Sequence, residues 1–235
     1  MAYQTPYAPV ITAGEETRAA FMAKVYQHLA LAVGAFIVFE TLLFMSGIAE
    51  SLYNFLFGQG GFAWLLVLGG FTIVNMIAAR SAANIHNPTA QYGGLFLMSL
   101  AEALIFAPFL YMAFNREGGT ATVQMAVLVT LIGFAALTFV GITTKKDLSF
   151  MRPLLMWSGI LAIGLIVAAV VFGFQLGIFF TIAMIGLAGG SILYQTQNIL
   201  RQYPETAYVA AAVALFGSLM MLFWYVLRLL MSLRN

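Results

Sequence analysis

Carboxyl groups inside long apolar segments are the residues of this chain best suited to chemistry. Glu102 lies in SLAEALIFAPF, almost at the midpoint of such a segment. A charged carboxylate at the bilayer centre costs about 2.5–3.5 kcal/mol on insertion scales. We therefore expect Glu102 to be neutral or paired with a cation, and to face other helices. It is either a group that exchanges protons or a protonated side chain that hydrogen-bonds a neighbouring helix.

Four other polar residues lie near the same depth or nearer the interface. Glu40, in FIVFETLLF, is close to the end of its segment and is expected to reach water. Arg80 ends a segment, so its long side chain is expected to extend to the interface. The alternative is that Arg80 is a counter-ion for Glu102, with Asn75 as a polar step between them. His28 is expected at an interface.

The stretch GGSILYQTQNIL combines small residues with amides. On a helix, Ser191, Gln195 and Asn198 follow one another at spacings of four and three residues, so they form one polar stripe. Gly186 and Gly190 form a pair of small residues that lets another helix approach closely. The pattern is typical of a central helix in a bundle, with its amides hydrogen-bonded across helices.

Composition places these residues in a membrane protein. The 235 residues are 63% hydrophobic and 8% charged, with a mean hydropathy of +0.97. A soluble domain carries about 25% charged residues, so this chain lacks the polar surface of a water-soluble globule. The net charge of +2 and the lack of a basic tract argue against nucleic-acid binding. Without cysteine the chain has no disulfide and no thiolate metal site.

The hydropathy pattern predicts an all-α bundle of seven transmembrane helices. Residues 1–26 are expected to be a polar leader without signal-peptide character, and residues 27–235 a single membrane domain. The break at 174–175 is the weakest, so spans five and six alternatively form one long broken hairpin. A spanning helix needs roughly 20 apolar residues, and such spans are predicted at 27–48, 62–79, 92–113, 121–142, 153–173, 176–196 and 208–231.

The basic residues predict the orientation. With the N-terminus in the cytoplasm, seven basic residues fall in cytoplasmic segments and three in outer ones, as the positive-inside rule favours. Two of the outer three lie in or after the last span, so a last span that re-enters without crossing is an alternative. The inner residues are Arg18, Lys24, Arg80, Lys145, Lys146, Arg152 and Arg201, and the outer ones are Arg116, Arg228 and Arg234.

Three stretches, in this order, resemble the Bax inhibitor-1 family of membrane proteins. TFVGITTKKDLSFMRPLL, with Lys145, Lys146 and Asp147, is similar to the family's loop after span four. ILYQTQNIL is similar to a family stretch that reads ILY, Asp, Thr, Gln and an aliphatic residue. ALFGSLMMLFWYVLRLL is similar to the closing helix. The seven spans and the proline of span three fit as well, and the resemblance covers roughly residues 20 to 232.

The resemblance implies a bundle with its last helix at the centre that conducts calcium or protons as a slow leak. In bacterial members two aspartates on spans six and seven share a proton and form a pH-sensitive latch near an arginine. Those aspartates correspond to Gln195 and Ser218 here, and the arginine to Arg80. Neither Gln195 nor Ser218 titrates in the working range, so we expect Glu102, together with Glu40, to supply the remaining titration.

The residue inventory argues against an enzyme. The chain has one aspartate and two histidines, which do not supply an intramembrane aspartyl dyad, a Ser–His pair or a His-rich metal site. No cofactor and no metal are expected. Two functions remain: a pH-influenced cation leak, or a non-conducting protein that binds other membrane proteins such as a protease or quality-control complex. The resemblance also implies a bacterial cytoplasmic membrane.

Overall fold

The computed structural model describes residues 8–58, 61–144 and 146–234. Within those ranges the chain forms α-helices and one short 3-10 helix, Val10–Thr12, with no strand. The helices are α1 (Glu15–Met45), α2 (Ile48–Gly58), α3 (Gly61–Ala82), α4 (Pro88–Phe114), α5 (Gly119–Thr143), α6 (Met151–Phe172), α7 (Ile178–Gln202) and α8 (Tyr208–Leu233).

Seven helices in the described ranges are long and apolar enough to cross a membrane, which confirms the predicted class. Each of them overlaps one predicted span. The largest differences are that α1 begins at Glu15, inside the predicted leader, and that α7 continues to Gln202, beyond the predicted end at 196. The eleven-residue helix α2 was not predicted and is too short to cross. It follows Gly47, whose φ of +76° allows the sharp turn after α1.

Helix α8 lies at the centre of the bundle. In its most apolar segment 72% of residues are buried, against 28% for α7 and 11% for α6. It packs against α1, α4, α5 and α7, so nearly all of its faces meet protein. The expectation of a central last helix is confirmed. The prediction that the amide-bearing helix α7 is central is wrong, because one side of α7 stays open.

Contacts at the two ends show that α8 runs the full length of the bundle. At its start, the Val10 N–H donates to Tyr203 O at 3.0 Å, which ties the N-terminal segment to the α7–α8 loop. At its end, Arg228 donates to Leu176 O at 2.8 Å and Arg234 to Gly118 O at 3.0 Å. Val10 and Arg234 therefore lie at opposite ends of the bundle, and a last helix of this length argues against a re-entrant last span. Which end is cytoplasmic stays a prediction from the basic residues.

The weak break between spans five and six is a real turn. Helix α6 ends at Phe172, Gly173 adopts a left-handed φ of +72°, and α7 begins at Ile178. A left-handed residue after a helix ends it by redirecting the backbone, which glycine does without steric cost. Spans five and six are therefore separate helices.

Two glycines allow neighbouring helices to approach closely. A Cβ atom added to Gly94 on α4 would lie 2.5 Å from the backbone of Ala78 and Ala82 on α3. One added to Gly141 on α5 would lie 2.9 Å from Thr196 Cβ on α7. The predicted close-packing pair is only half right, because Gly190 contacts side chains of α6 whereas Gly186 faces open space.

We expect Gly94→Ala to destabilise the bundle by about 1–3 kcal/mol, since the new methyl group would force α3 and α4 apart. Gly93→Ala is the matched control, because nothing lies within 4 Å of its Cβ position and alanine favours a helix by roughly 0.5–1 kcal/mol. Thermal unfolding in detergent measures both. Equal melting temperatures for the two variants would contradict the assigned α3–α4 contact.

Candidate functional site

Glu102 lies at the middle of the bundle and faces inward. It is fourteen residues after Pro88 and twelve before Phe114 on α4, and its side chain is only 5% exposed. The expectation that it avoids lipid is therefore confirmed. Among the described residues no group forms a hydrogen bond or an ion pair with its carboxyl group. The alternative of a hydrogen bond to a neighbouring helix is not observed.

Close packing encloses Glu102 on the side toward the N-terminal end of α4. Ser99, one turn earlier on the same face, is fully buried and its hydroxyl lies 3.1 Å from Ala32 O of α1 and 3.0 Å from Leu95 O. Met98 packs against Gly217 of α8, where an added Cβ would lie 3.2 Å from Met98 Cε. These contacts join α4 to α1 and α8 about one turn before Glu102 along α4.

An aromatic layer encloses Glu102 on the side toward the C-terminal end of α4. It consists of Phe36, Phe106, Phe223 and Trp224. The Phe106 ring lies 5.5 Å from Phe223 in a stacked pair, 5.6 Å from Phe36 and 5.7 Å from Trp224, the last two edge-on. Phe106 is one turn after Glu102 on α4, so the layer lies next to the carboxyl group, toward the C-terminal end of α4.

Arg80 and Asn75 do not pair with Glu102. Arg80 is exposed in the last turn of α3, as expected for a side chain that extends to the interface. Arg80 lies beside Gly94 of α4, which packs against Ala78 and Ala82. Glu102 is eight residues after Gly94, a distance of about 12 Å along the helix axis. Asn75 is half-buried and its Oδ1 has no partner in the described structure. The counter-ion alternative is therefore not supported.

Glu40 is buried, contrary to the expectation that it reaches water. Its side chain is 7% exposed, and neither carboxyl oxygen has a hydrogen-bond partner among the described residues. It lines an apolar cavity of about 450 Å³ between α1, α4, α5 and α8. Thr130 Oγ1 lines the same cavity and is also unpartnered. Glu40 lies more than one turn before the end of α1 at Met45, and residues of α4, α5 and α8 surround it at this level.

The aromatic layer separates the two buried carboxyl groups. Phe36 lies one turn before Glu40 on α1, and Phe106 lies one turn after Glu102 on α4. Phe36 and Phe223 also line the Glu40 cavity. The order along the bundle axis is therefore Glu102, aromatic layer, Glu40. The site consists of two unpaired carboxyl groups on opposite sides of a stack of rings.

The positions that correspond to the latch aspartates do not hydrogen-bond each other. Gln195 Oε1 is buried without a partner in the described part of the chain, and Ser218 is buried on α8. The polar stripe Ser191, Gln195 and Asn198 is half-buried along the side of α7. The expectation of cross-helix hydrogen bonds from this stripe is thus not met.

Gln197, next to the stripe, makes the amide contacts of this stretch. Its Oε1 accepts from Leu148 N and its Nε2 donates to Lys146 O, both at 2.7 Å. One turn later, Arg201 Nη1 lies 3.2 Å from Asp147 Oδ1. Helix α7 therefore holds the α5–α6 loop by two residues on one face. Lys145, the remaining residue of the loop motif, lies outside the described residues.

Asp147 is the charged centre of this loop. The Ser149 N–H donates to its Oδ1 at 2.9 Å. This hydrogen bond, together with the Arg201 guanidinium, lowers the pKa of the Asp147 carboxyl. The loop is thus stabilised by an ionised Asp147.

His28 belongs to a polar cluster at the end of the bundle that also holds the α5–α6 loop. Its Nδ1 lies 2.7 Å from Lys24 O, which can only accept, so Nδ1 carries the proton. Its Nε2 lies 3.0 Å from the Tyr92 hydroxyl, and the Tyr208 ring is 4.8 Å away. The cluster links α1, α4 and α8.

Sequence reasoning placed Gln197 beside the polar stripe without assigning it a partner, and it did not identify Thr130. The spacing of Gln197 and Arg201 by four residues, opposite a loop with an aspartate, was the available signal for the first. Thr130 is a single hydroxyl in VLVTLI, and no pattern along α5 shows that a carboxyl group from α1 lines the same cavity. Contacts between distant helices decide both roles.

Three comparisons with known proteins bear on identity. A family model described as inhibitor of apoptosis-promoting Bax1 matches residues 18–235. Protein LIFEGUARD 4 of Arabidopsis thaliana is 28% identical over 223 residues, which cover 92% of this chain and 85% of that protein. An uncharacterised protein of Campylobacter jejuni is 29% identical over 147 residues, 59% of this chain, and the match spans 60% of that protein's length.

We expect Gln197→Leu to release the α5–α6 loop, because Leu148 N–H and Lys146 O would lose their partners. Amide exchange of residues 146–150 should accelerate at least about fivefold, as for the loss of roughly 1 kcal/mol of hydrogen bonding. Gln195→Leu is the matched control on the same helix and should leave that exchange unchanged. Similar acceleration in both variants would show that the loop is not held by Gln197.

Loop protection should depend on pH below about 4. A lowered pKa means that ionised Asp147 stabilises the folded loop above the unfolded-state value near 3.9, and that this contribution is lost as pH falls through the lower folded-state pKa. Amide exchange, corrected for its intrinsic pH dependence, should stay constant from pH 7 to 5 and then accelerate. Asp147→Asn should remove that pH dependence, and its persistence in the variant would contradict the assignment.

Proposed function

This chain belongs to the Bax inhibitor-1 family, and on that premise we propose that it is a slow, pH-influenced cation leak with Glu102 as its principal proton-exchanging group. The observation that carries the proposal is the unpaired carboxyl group at the middle of the bundle. A carboxyl group without a partner in an apolar interior is costly. Such costs concentrate at functional positions.

The closed packing around Glu102 supports a slow leak. The Ser99 and Met98 contacts lie on one side of the carboxyl group and the aromatic layer on the other. A proton that leaves Glu102 toward Glu40 must pass Phe36, Phe106 and Phe223, so the rings have to separate transiently. Ring and helix motions of this kind occur on microsecond to millisecond timescales, which limits the rate.

The donor atoms at these positions favour protons over calcium. Calcium takes about six to eight oxygen ligands, with carboxylates among them. Glu102 and Glu40 lie on different helices on opposite sides of the aromatic layer, and each is a single carboxyl group. Gln195 and Ser218, which correspond to the family's latch aspartates by resemblance, add neutral oxygens only. One carboxyl group suffices to accept and release a proton.

We further propose a bacterial cytoplasmic membrane with the N-terminus inside. The bacterial membrane rests on the family resemblance alone. The orientation is supported by the excess of basic residues at the end of the bundle that holds the N-terminal segment, the α3–α4 loop, the α5–α6 loop and the α7–α8 loop. In this orientation the Gln197-bound loop and the His28 cluster face the cytoplasm.

A non-conducting interaction protein is the second candidate. It is favoured by the close packing on both sides of Glu102, where Ser99 and Met98 contact α1 and α8 and Phe106 packs in the aromatic layer. In this case the bound α5–α6 loop is the natural contact surface for a membrane protease or quality-control complex. Co-purification from native membranes, compared between the wild type and Gln197→Leu, tests this role.

Glu102→Gln should lower proton flux at least about fivefold and flatten its pH profile, because an amide neither accepts nor releases a proton in the working range. The measurement is the fluorescence of a pH dye in liposomes containing the purified protein, with empty liposomes as baseline. A parallel series with a calcium dye distinguishes the two cations.

Glu50→Gln, at an exposed glutamate of α2, is the matched control and should conduct as the wild type does. Glu102→Asp keeps a titratable group and should retain part of the flux. Size-exclusion profiles exclude misfolding as the cause of a loss. Wild-type flux equal to that of empty liposomes, or an unchanged pH profile in Glu102→Gln, would refute the leak and leave the interaction role.

A further inference from the structure

The cavity at Glu40 is open toward the bilayer. Helices α1 and α5, both described along their whole length, each pack against α8 but not closely against each other. Their facing edges carry exposed apolar side chains, including Ile37 on α1 and Leu131 on α5. Both residues line the cavity. An opening with such edges in the middle of spanning helices admits molecules from the lipid phase and disfavours ions from water.

The size and lining of the cavity fit a small lipophilic molecule. Its volume of about 450 Å³ falls within the roughly 300–1,000 Å³ of ordinary small-molecule sites. On α1 the lining runs from Val33 to Met45, about 18 Å of helix. That is an elongated apolar space suited to an alkyl chain.

Two polar groups in the cavity lack partners. Glu40 is more than nine-tenths buried, and both of its oxygens are unpaired within the described chain. Thr130 Oγ1 is unpaired as well, although helical threonines can bond a carbonyl of the preceding turn. An ionised carboxylate only accepts hydrogen bonds, and a protonated one still has an accepting oxygen. In either state Glu40 can accept from a donor.

We propose that this cavity binds an amphiphile that enters from the bilayer, with its alkyl chain along α1 and α5 and a hydrogen-bond donor, an ammonium or a hydroxyl group, on Glu40. Thr130 provides a second polar contact for the same head group. A purely apolar occupant would leave both groups unpaired, and an anionic one would face the carboxyl group. The inference does not depend on proton exchange at Glu102.

Binding of radiolabelled dodecylamine to the full-length protein in lipid nanodiscs tests the proposal, with empty nanodiscs to correct for partitioning. We expect saturable binding of one molecule per chain. Unlabelled dodecanol that displaces the label shows that a hydroxyl suffices, and failure to displace it shows that an ammonium is required. Both results support a donor head group. Displacement by dodecane or dodecanoate as strong as by dodecylamine would overturn it.

Variants locate the site. Glu40→Gln should weaken dodecylamine binding about tenfold through loss of the charge-assisted hydrogen bond, and Thr130→Val should weaken it about threefold. Glu102→Gln, the same change at a buried carboxyl group outside the cavity lining, should alter binding less than about twofold. Leu131→Trp should fill the cavity and abolish binding without touching Glu40. Wild-type affinity in both Glu40→Gln and Leu131→Trp would exclude this cavity.

Discussion

A polar group that leaves water for an apolar medium must find its partners inside the protein, and this constraint organises the bundle. The backbone meets it by forming helices throughout the spanning segments. The loops meet it through side chains at the helix ends: Gln197 holds the α5–α6 loop, Arg228 the α6–α7 loop and Arg234 the α4–α5 loop. Arg228 and Arg234 extend from the central helix or the residue after it, so α8 serves both as core and as anchor at one end.

Several buried polar groups depart from this rule, and two of them are carboxyl groups, which can ionise. Leaving a buried acceptor unsatisfied costs about 1–3 kcal/mol. Both Glu40 oxygens are buried without a partner, and no hydrogen bond or ion pair to the buried Glu102 side chain is observed within the described residues. Their surroundings differ. Glu102 is enclosed by closely packed helices and an aromatic layer, whereas Glu40 lies in a cavity that opens between α1 and α5. These different surroundings are the reason that we propose proton exchange at Glu102 and ligand binding at Glu40.

Much of the fold follows from the sequence because hydropathy depends on short stretches. Runs of apolar residues located all seven spans, and the cost of a mid-bilayer charge predicted that Glu102 faces inward. Properties that depend on contacts between helices were not accessible. Glu40 was expected to reach water because its distance from the interface was judged along one helix, whereas α4, α5 and α8 cover it. Gln195 was expected to bond across helices, but a shift of two residues to Gln197 gives the amide a loop backbone to bind. Helix α2 was not predicted, because its eleven residues are fewer than the roughly 20 that a membrane span needs.

The separation of the two carboxyl groups changes what pH can do to this molecule compared with a latch of two adjacent acids. Adjacent carboxyl groups share a proton, and their titration belongs to the pair, with two apparent pKa values far apart. Glu102 and Glu40 share no hydrogen bond, and Phe36 and Phe106 lie between them. The two groups therefore cannot share one proton, although two charges in an apolar interior still interact through space. With neutral residues at Gln195 and Ser218, α7 and α8 cannot form a carboxyl latch, so the pH response that we propose for this chain rests on Glu102 and Glu40 alone.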